Sequence, residues 1–474
     1  MQQDAAIESP GISPTPEAPG GGGSMRRTKP LRVALFVAGF PVLSETFVVR
    51  QIAGLMELGH EVDIFAEWRA EIGAACQPEV RELKLLERTS FMEMPPESAP
   101  WEMPVWPLWG RTWLPGSETS VSNLGRLGRA IPHVVRCFMR APRLAWRVLS
   151  RAEYGFQAGS LSSLYRLSRL SRCPGPYDVI HAHFGPVANS FRFAREWFHA
   201  PLVVTFHGYD FTTVPRQQGR DVYEKLFRQV DVVTGNSRFA LERVSRLGCP
   251  LDCLHRVPMG VDPGRFPFRA RRLRQGEPVR LLTVARLVPI KGHEVALAAV
   301  ALLRQRNLSV HYDIVGEGSQ RKTLEQRVMD LGLEGCVRFH PACDGDEVRR
   351  WLERSHLFVL PSRSLDGDEE AQGLVLQEAQ ASGMPVVGAN SGGIAEGLLP
   401  GTSGLLFTES DPASLAEQLQ YLAQHPESWE TMGRAGREFV LRHFNFHDLH
   451  QRWVEIYDEA RRHYEENPRP RRRL

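Results

Sequence analysis

The sequence predicts an α/β protein built from two parallel-sheet domains that face each other across a cleft. Short apolar segments of strand length alternate with segments of helical periodicity. This alternation occurs in two series, which an Arg- and Pro-rich segment at 263–278 separates. Strand–helix alternation produces parallel sheets with right-handed crossovers. Because ligands of such sheets bind beyond the carboxyl ends of the strands, we expect a binding site between the domains.

The first series begins with a nearly continuous apolar strand at 31–38, which is typical of a strand covered on both faces. A helix that starts at Ser44-Glu45 follows, with apolar residues at helical spacing. We assign residues 31–262 to the N-terminal domain. Its further strands are predicted at 61–66, 178–183, 202–206 and 231–234.

The second series forms a C-terminal domain that we place at 279–443, after a linker at 263–278. Residues 444–474 are predicted to be a crossover helix and a basic tail. Residues 1–30 are predicted to be a disordered leader, because most of them are Pro, Gly, Ser or acidic. The strands of the second series are predicted at 279–284, 310–315, 337–340, 357–360 and 385–389, and its last helices at about 411–425, 427–443 and 446–464.

The composition is that of an ordinary globular protein, with 42% hydrophobic and 24% charged residues and a net charge of +3. The seven cysteines are scattered and form no CxxC pair, so we expect neither a disulfide framework nor a structural zinc site. Reduced thiols indicate a cytoplasmic protein. His181, His183, His340 and Asp366/Asp368 do not have the spacing of a recognised metal-ligand set, and no metal is expected.

Two glutamates near the C-terminal end of the chain form the most informative pair. Glu370 lies in a loop, and Glu378 lies about two helical turns further on, in a helix that follows the loop. The free N–H groups of such a helix end favour an anionic ligand, and carboxylates accept hydrogen bonds from hydroxyl groups. A nucleotide sugar carries both kinds of group. The alternative is that the two are capping or surface glutamates.

Two cations follow the strand at 279–284. Arg286 lies directly after this strand, and Lys291 lies five residues on, ahead of a helix. An arginine fork and a mobile lysine charge at a strand-to-helix turn can hold a diphosphate. The alternative is a pair of solvated surface cations.

Other strand ends carry His207, Gly316 and Gly39. His207 follows the strand at 202–206 and would face the cleft, where it could bond a sugar hydroxyl or a phosphate; otherwise it is a structural or capping histidine. Gly316 and Gly39 also follow strands, and glycine permits a close approach of the backbone to a ligand. The alternative at both positions is a plain βα turn.

A basic stretch at 126–172 contains ten arginines and one acidic residue, Glu153. The arginines alternate with apolar residues at helical spacing, and Trp101, Trp106, Trp109 and Trp113 come just before. Such a pattern indicates an anionic membrane surface, with the stretch forming an insertion at about 100–172. Pro132 and Pro142 should break it into short helices. The alternative is a solvated basic face packed on the N-terminal domain; the chain has no nucleic-acid recognition fold.

Taken together, these segments resemble the retaining glycosyltransferases of family 4, which have the GT-B architecture. The N-terminal half is similar to the branch that builds bacterial exopolysaccharides, such as the colanic acid and amylovoran transferases. The resemblance covers roughly 31–443, except for about 68–172. The segments that carry it are Ser44-Glu45-Thr46-Phe47-Val48-Val49-Arg50, His181-Ala182-His183-Phe184-Gly185, Thr205-Phe206-His207-Gly208-Tyr209-Asp210, Arg286-Leu287-Val288-Pro289-Ile290-Lys291-Gly292, Ile314-Val315-Gly316-Glu317-Gly318, Leu360-Pro361-Ser362, the Glu370/Glu378 pair, and Ser391-Gly392-Gly393-Ile394-Ala395-Glu396.

The resemblance implies two Rossmann-like domains, with a C-terminal helix that returns to the N-domain. It implies transfer of a hexose from a nucleotide sugar, expected to be a UDP-sugar, to a lipid-linked glycan with retention of configuration. The leaving phosphate would accept the proton, and no cofactor or metal would be needed. The implied roles are diphosphate binding by Arg286 and Lys291, ribose binding by Glu378, sugar binding by Glu370, contact with the reaction centre by His207, and close approach to the ligand at Gly39 and Gly316.

One segment departs from the family pattern. The residues after the first glutamate are usually glycine and an aromatic residue or leucine, whereas this chain has Ala371-Gln372. A conformation that requires glycine would be strained at Ala371. The alternatives are therefore a soluble GT-B transferase, a nucleotide-sugar epimerase, or an inactive GT-B scaffold that binds glycan or protein. We expect a cytoplasmic protein on the inner face of the cell membrane; the sequence does not identify the sugar, the base or the oligomeric state.

Overall fold

The computed structural model describes residues 29–42, 45–70, 77–92, 123–173 and 175–467. The predicted leader lies outside these residues apart from its last two positions. The four tryptophans that precede the basic stretch, the side chains of Arg126 and Arg129, and the basic tail also lie outside.

The N-terminal domain contains a parallel sheet of seven strands in the order β3-β2-β1-β4-β5-β6-β7. This order is the Rossmann order, in which the strand sequence reverses next to β1. The strands are β1 (Arg32–Phe40), β2 (Glu61–Arg69), β3 (Thr89–Phe91), β4 (Val179–His183), β5 (Leu202–Phe206), β6 (Val232–Gly235) and β7 (Leu254–Arg256).

Helices cover both faces of this sheet, and five of them form the insertion between β3 and β4. The helices are α1 (Thr46–Glu57), α2 (Pro78–Glu82), α3 (Asn123–Arg140), α4 (Pro142–Val148), α5 (Arg151–Tyr154), α6 (Phe156–Gly159), α7 (Ser162–Leu170), α8 (Gly185–Phe191), α9 (Ala194–Phe198), α10 (Thr213–Gln218), α11 (Glu224–Phe227) and α12 (Arg238–Arg246).

The C-terminal domain repeats the plan with six parallel strands in the order β10-β9-β8-β11-β12-β13. Its strands are β8 (Val279–Val284), β9 (Val310–Val315), β10 (Val337–His340), β11 (Leu357–Leu360), β12 (Val386–Ala389) and β13 (Gly404–Phe407). Its helices are α13 (His293–Gln305), α14 (Arg321–Asp330), α15 (Gly345–Arg354), α16 (Leu374–Ala381), α17 (Pro412–Gln424) and α18 (Trp429–His443), and α19 (Phe446–Glu466) ends the described chain.

The helix α19 returns to the N-terminal domain and packs on α1, β4, β5 and β6. Tyr457 is fully buried there, and its hydroxyl lies 2.9 Å from the His181 ring nitrogen Nδ1 and 3.2 Å from the Gln51 amide nitrogen. The two chain crossings between the domains lie side by side, because Val261 exchanges backbone hydrogen bonds with Phe444 and Phe446. The structure thus confirms the predicted two-domain parallel architecture and the returning helix.

The expectation for Pro132 was wrong. This proline lies inside α3, which continues through it, whereas Pro142 starts a new helix as expected. Pro132 is exposed, so the backbone carbonyl that loses its hydrogen-bond donor there is able to bond water instead. Within the described ranges, none of the helices is both long and apolar enough to cross a bilayer.

We predict that α19 stabilises the whole N-terminal domain. Tyr457→Ala should destabilise the protein by about 3–5 kcal/mol, because it leaves a large cavity. Tyr457→Phe should destabilise it by about 1–3 kcal/mol, since His181 and Gln51 lose a buried hydrogen-bond partner. Urea unfolding followed by tryptophan fluorescence measures both effects. Glu465→Ala, an exposed change on the same helix, serves as the control; an equal effect of all three variants would contradict this role.

Candidate active site

The strand ends of both sheets open onto a cleft of about 420 Å³ between the domains. This volume lies in the range of small-molecule binding pockets. Thr46 and Arg50 of α1 line the cleft from the N-terminal domain, and Arg286, Gly316 and Glu378 line it from the C-terminal domain. The sequence prediction of a site between the two domains is therefore consistent with the geometry.

Arg286 and Lys291 lie in the loop between β8 and α13. A ring nitrogen of the buried His293 lies 3.0 Å from the Arg286 carbonyl oxygen and anchors the loop. Lys291 precedes Gly292, which has a φ of 65° and starts α13. A Cβ at Gly292 would lie 1.9 Å from the Pro361 carbonyl oxygen, so this turn requires glycine.

Glu370 lies next to both cations. Lys291 Nζ donates a hydrogen bond to Glu370 Oε2, and Ser362 Oγ donates to the same oxygen at 3.2 Å. Burial alone would raise the pKa of Glu370, but the charge of Lys291, these hydrogen bonds and the charge of Arg286 together lower it. Burial lowers the pKa of Arg286, and Glu370 and Glu45 oppose that shift. Glu370 is therefore an ionised carboxylate between two cations.

Glu378 projects from α16, which starts after Gly373 with a φ of 77°. Its Oε1 atom lies 3.1 Å from a guanidinium nitrogen of Arg50, and both side chains are buried. This ion pair joins α1 of one domain to α16 of the other. A ligand that uses Glu378 must share this carboxylate with Arg50 or displace Arg50. The sequence analysis missed this contact, and the only signal for it was the position of Arg50 within a family motif.

His207 follows β5 and lies within a group of aromatic rings. Its Nε2 atom lies 3.0 Å from His183 Nδ1, and the Phe47 and Phe184 rings lie 4.5 and 4.6 Å from its ring. Burial and the neighbouring His183 hold the pKa of His207 well below its usual range. The imidazole is therefore neutral, so it would act on a ligand through hydrogen bonds rather than through charge.

A buried aspartate holds the backbone around His207. The Asp210 carboxylate accepts hydrogen bonds from the N–H groups of Gly208 at 2.8 Å, His207 at 3.0 Å and Gly185 at 3.2 Å. Burial raises the pKa of Asp210 to about 6, although these hydrogen bonds lower it. Asp210 therefore fixes the loop that presents His207 to the cleft.

The two predicted site glycines differ in position. Gly316 lines the cleft, has a φ of 151°, and a Cβ there would lie 2.0 Å from the Ala285 carbonyl oxygen. Gly39 lies within β1, where a Cβ would lie 2.3 Å from the Trp68 indole ring. Packing against Trp68 accounts for Gly39. The structure brings together Arg286, Lys291, Glu370, Glu378 and Gly316 at the cleft, and it does not place Gly39 among the cleft residues.

The two residues that depart from the family pattern both contact the N-terminal domain. Gln372 binds the backbone of Met259 twice, accepting from its N–H at 2.8 Å and donating to its carbonyl at 2.9 Å. Ala371 is buried against the same domain, next to Gly208. Ala371 has no positive φ, so the expected strain at this position was wrong.

Further contacts join the loop that carries Glu370 to the N-terminal domain. Asp368 Oδ1 accepts from Thr213 Oγ1 at 2.6 Å, and Glu369 pairs with Arg243. The Glu396 carboxylate accepts from the backbone N–H groups of Arg238 and Phe239 at 2.9 Å each, at the start of α12. These acceptors all come from the C-terminal domain, and the donors all come from the N-terminal domain. The structure is therefore a closed form of the cleft.

No group of three or more His, Cys, Asp or Glu side chains that could hold a metal ion occurs in the part of the chain that the structure describes. In the cleft, positive charge comes from Arg50, Arg286 and Lys291. The arrangement can bind an anion and several hydroxyl groups at once.

Two family profiles match consecutive parts of the chain. The profile described as Glycosyl transferase 4-like domain matches residues 44–260, and the profile described as Glycosyl transferases group 1 matches residues 265–439. Together they cover both sheets and the cleft between them.

Curated relatives extend this similarity. The chain is 27% identical to the amylovoran biosynthesis glycosyltransferase AmsK of Erwinia amylovora, over 90% of this chain and 99% of that protein. It is 31% identical to a glycogen synthase of Mycobacterium tuberculosis, over 62% of this chain and 71% of that protein. Among solved structures, Anabaena Alr3699/HepE in complex with UDP-glucose superposes with a TM-score of 0.62 at 18% identity, over 90% of this chain and 99% of that chain.

The buried histidines predict a loss of stability in mild acid. Burial lowers the pKa of His183 to about 3, and the pKa values of His181 and His207 also lie well below 6.5. Groups with a depressed folded pKa stabilise the protein above their unfolded pKa and lose that contribution as pH falls. Each should lose about 1.4 kcal/mol per pH unit below about pH 6.5.

The midpoint of urea unfolding measured at pH 7 and pH 5.5 checks this expectation. His183→Asn should reduce the drop between the two pH values, whereas a change at the exposed His199, His199→Gln, should not alter it. An unchanged drop in His183→Asn would show that His183 titrates normally in the folded protein.

Proposed function

Because the chain belongs to the family 4 glycosyltransferases of GT-B architecture, we propose that it is a retaining hexosyltransferase that uses a nucleotide sugar. Its relative AmsK is a glycosyltransferase of polysaccharide biosynthesis, which supports a role in making a cell-surface polysaccharide. The donor is a UDP-sugar, and the acceptor is a lipid-linked oligosaccharide. The bound UDP-glucose of Alr3699/HepE supports a donor of this class.

One observation carries the proposal, namely the pair of cations beside two carboxylates in the cleft. Arg286 and Lys291 hold the diphosphate and stabilise the charge that develops as it leaves, and their two charges do this without a metal ion. Glu378 accepts hydrogen bonds from the ribose hydroxyls, and Glu370 accepts them from the donor sugar. The two carboxylates lie on one loop–helix unit, so a single ligand is able to reach both.

The acceptor hydroxyl attacks from the face that the diphosphate leaves, which retains the anomeric configuration. His207 contacts the sugar at the reaction centre from the N-terminal domain. The contacts that join the domains exclude water from the cleft, which limits hydrolysis of the donor.

A nucleotide-binding experiment tests the donor site. UDP at a hundred times its dissociation constant should add about 2.7 kcal/mol of stability and raise the melting temperature, whereas GDP and ADP should not. Glu378→Ala should weaken UDP binding about 10- to 100-fold, because hydrogen bonds to a charged group contribute about 1.5–3 kcal/mol. Isothermal titration calorimetry measures this change.

Glu417→Ala, an exposed carboxylate on α17, is the matched control and should bind UDP like the wild type. UDP affinity that stays within about threefold in Glu378→Ala would exclude the ribose role. A protein that responds to none of the three nucleotides would contradict the proposed donor site.

We also propose that the insertion binds an anionic membrane, where a lipid-linked acceptor would lie. The inner side of α3 packs on α7, and Cys137 is buried there. Its outer side exposes Ile131, Val135 and Met139 at helical spacing, and Met139 is 79% exposed. These three residues form an outer face together with Trp146 of α4 and Phe156 of α6, which are also exposed.

Arginines surround this outer face. Arg143 and Arg151 are exposed, and Arg140 and Arg147 lie on the same helices. Exposed apolar side chains among arginines suit the boundary between acyl chains and anionic headgroups. The alternative of a purely solvated basic face does not explain an apolar outer side. This attachment places the protein on the inner face of the cell membrane.

A liposome assay separates the two contributions to membrane binding. Met139→Ser with Trp146→Ser should reduce binding to phosphatidylglycerol vesicles at all salt concentrations, because apolar contacts are not screened. Arg143→Gln with Arg151→Gln should weaken binding about 10- to 30-fold at low salt, at about 1 kcal/mol for each arginine near the surface. Arg246→Gln with Arg272→Gln, two exposed arginines elsewhere, is the control. Unchanged sedimentation of both insertion variants with the vesicles would exclude this surface.

A further inference from the structure

Glu45 occupies a position in the cleft to which the sequence analysis gave no role. It directly precedes α1 and is 9% exposed. The next residue, Thr46, lines the cleft, and the Phe47 ring lies 4.5 Å from the His207 ring. The side chain is therefore held between the donor cleft and the histidine that faces it.

Few polar groups surround the Glu45 carboxyl. It takes part in no hydrogen bond with the residues that the structure describes. The charged group that faces it is Arg286, in the loop after β8. On the side of the N-terminal domain, Glu45 is near Tyr209, whose pKa lies well above its usual range chiefly because of burial. Arg286 in turn feels Glu370, which pairs with Lys291.

These surroundings keep the carboxyl neutral. Burial raises the pKa of Glu45 to about 8, and the charge of Arg286 only partly opposes this. A neutral carboxyl group offers one hydrogen-bond acceptor and one O–H donor, side by side. An ionised Glu45 would instead pair with Arg286 and repel the diphosphate that Arg286 is proposed to bind.

We propose that Glu45 is a catalytic residue that relays the proton of the acceptor hydroxyl to the leaving diphosphate; this inference rests on the transferase function proposed above. The bond between the sugar anomeric carbon and the diphosphate oxygen breaks, and a bond between that carbon and the acceptor oxygen forms. The acceptor proton moves to the carbonyl oxygen of Glu45. The O–H proton of Glu45 moves to the leaving phosphate oxygen, so Glu45 is neutral before and after the step.

The place of Glu45 suits both transfers. Arg286, on one side, holds the diphosphate, and His207, on the other side, is proposed to lie at the reaction centre. Because retention requires the acceptor to approach from the face that the diphosphate leaves, the two oxygens that exchange the proton lie next to each other. One carboxyl group is able to bridge them.

The test measures nucleotide release by the full-length protein from UDP-glucose, UDP-galactose, UDP-N-acetylglucosamine and GDP-mannose, with water as the acceptor. With the best of these donors, Glu45→Gln should lower kcat about 100-fold, because glutamine cannot relay a proton. It should leave the donor KM within about threefold, since glutamine keeps the size and neutrality of the side chain. Glu45→Asp should fall between the two.

The pH profile distinguishes a relay from a structural role. The wild-type rate should be level below pH 7.5 and fall as the carboxyl ionises near pH 8, whereas the residual rate of Glu45→Gln should not show this fall. UDP affinity should weaken between pH 7 and pH 9 more in the wild type than in Glu45→Gln. Glu57→Gln, an exposed carboxylate on the same helix, is the control and should behave like the wild type.

Two results would overturn the proposal while leaving the transferase function intact. They are a kcat of Glu45→Gln within about threefold of the wild type, and an identical fall with pH in both proteins. If the wild type releases no nucleotide from any of the four donors, the transferase function itself fails, and the role of Glu45 fails with it.

Discussion

Charge compensation inside a closed cleft is the constraint on which the rest of this site depends. Three carboxyl groups and three cations meet there, away from bulk water. Removing one member of a buried ion pair typically costs about 3–5 kcal/mol, so any ligand must replace each charge that it displaces. A nucleotide sugar meets this condition, because its diphosphate neutralises cations and its hydroxyls satisfy carboxylates. The groups are Glu45, Glu370, Glu378, Arg50, Arg286 and Lys291.

Much of the fold could be predicted because the central strands are buried on both faces. The strands at 202–206, 279–284, 310–315, 337–340 and 357–360 begin and end where the apolar segments predict. The edge strands β3, β7 and β13 have three or four residues each, too few for a periodic pattern, and were not predicted. Their pairing depends on the neighbouring strand rather than on their own sequence.

The site could be predicted in part for the same kind of reason. Arg286, Lys291, Glu370 and Glu378 lie at strand ends or helix starts, where local patterns indicate function. The contact between Arg50 and Glu378 joins residues 328 positions apart, and no local pattern indicates such a pair. The environment of Glu45 depends likewise on a residue of the other domain.

The loop that carries Glu370 shows why a departure from a family pattern need not indicate lost function. Asp368, Glu369 and Gln372 all bind groups of the N-terminal domain, so these side chains are directed away from the donor. Glu370 keeps its contacts with Lys291 and Ser362. Ala371-Gln372 therefore couples the sugar-binding loop to the opposite domain. Sugar recognition then depends on how the two domains sit when the cleft is closed.

The returning helix α19 also separates the order of synthesis from the order of folding. The N-terminal sheet leaves the ribosome long before Trp453, Ile456 and Tyr457, which cover one of its faces. At about 5–20 residues per second, the intervening C-terminal domain takes roughly 10–40 s to synthesise. During that time the face stays open, and the first domain to be made is the last to be completed. A nascent chain of this design depends on chaperones, or on a slow collapse of that face, until its final helix arrives.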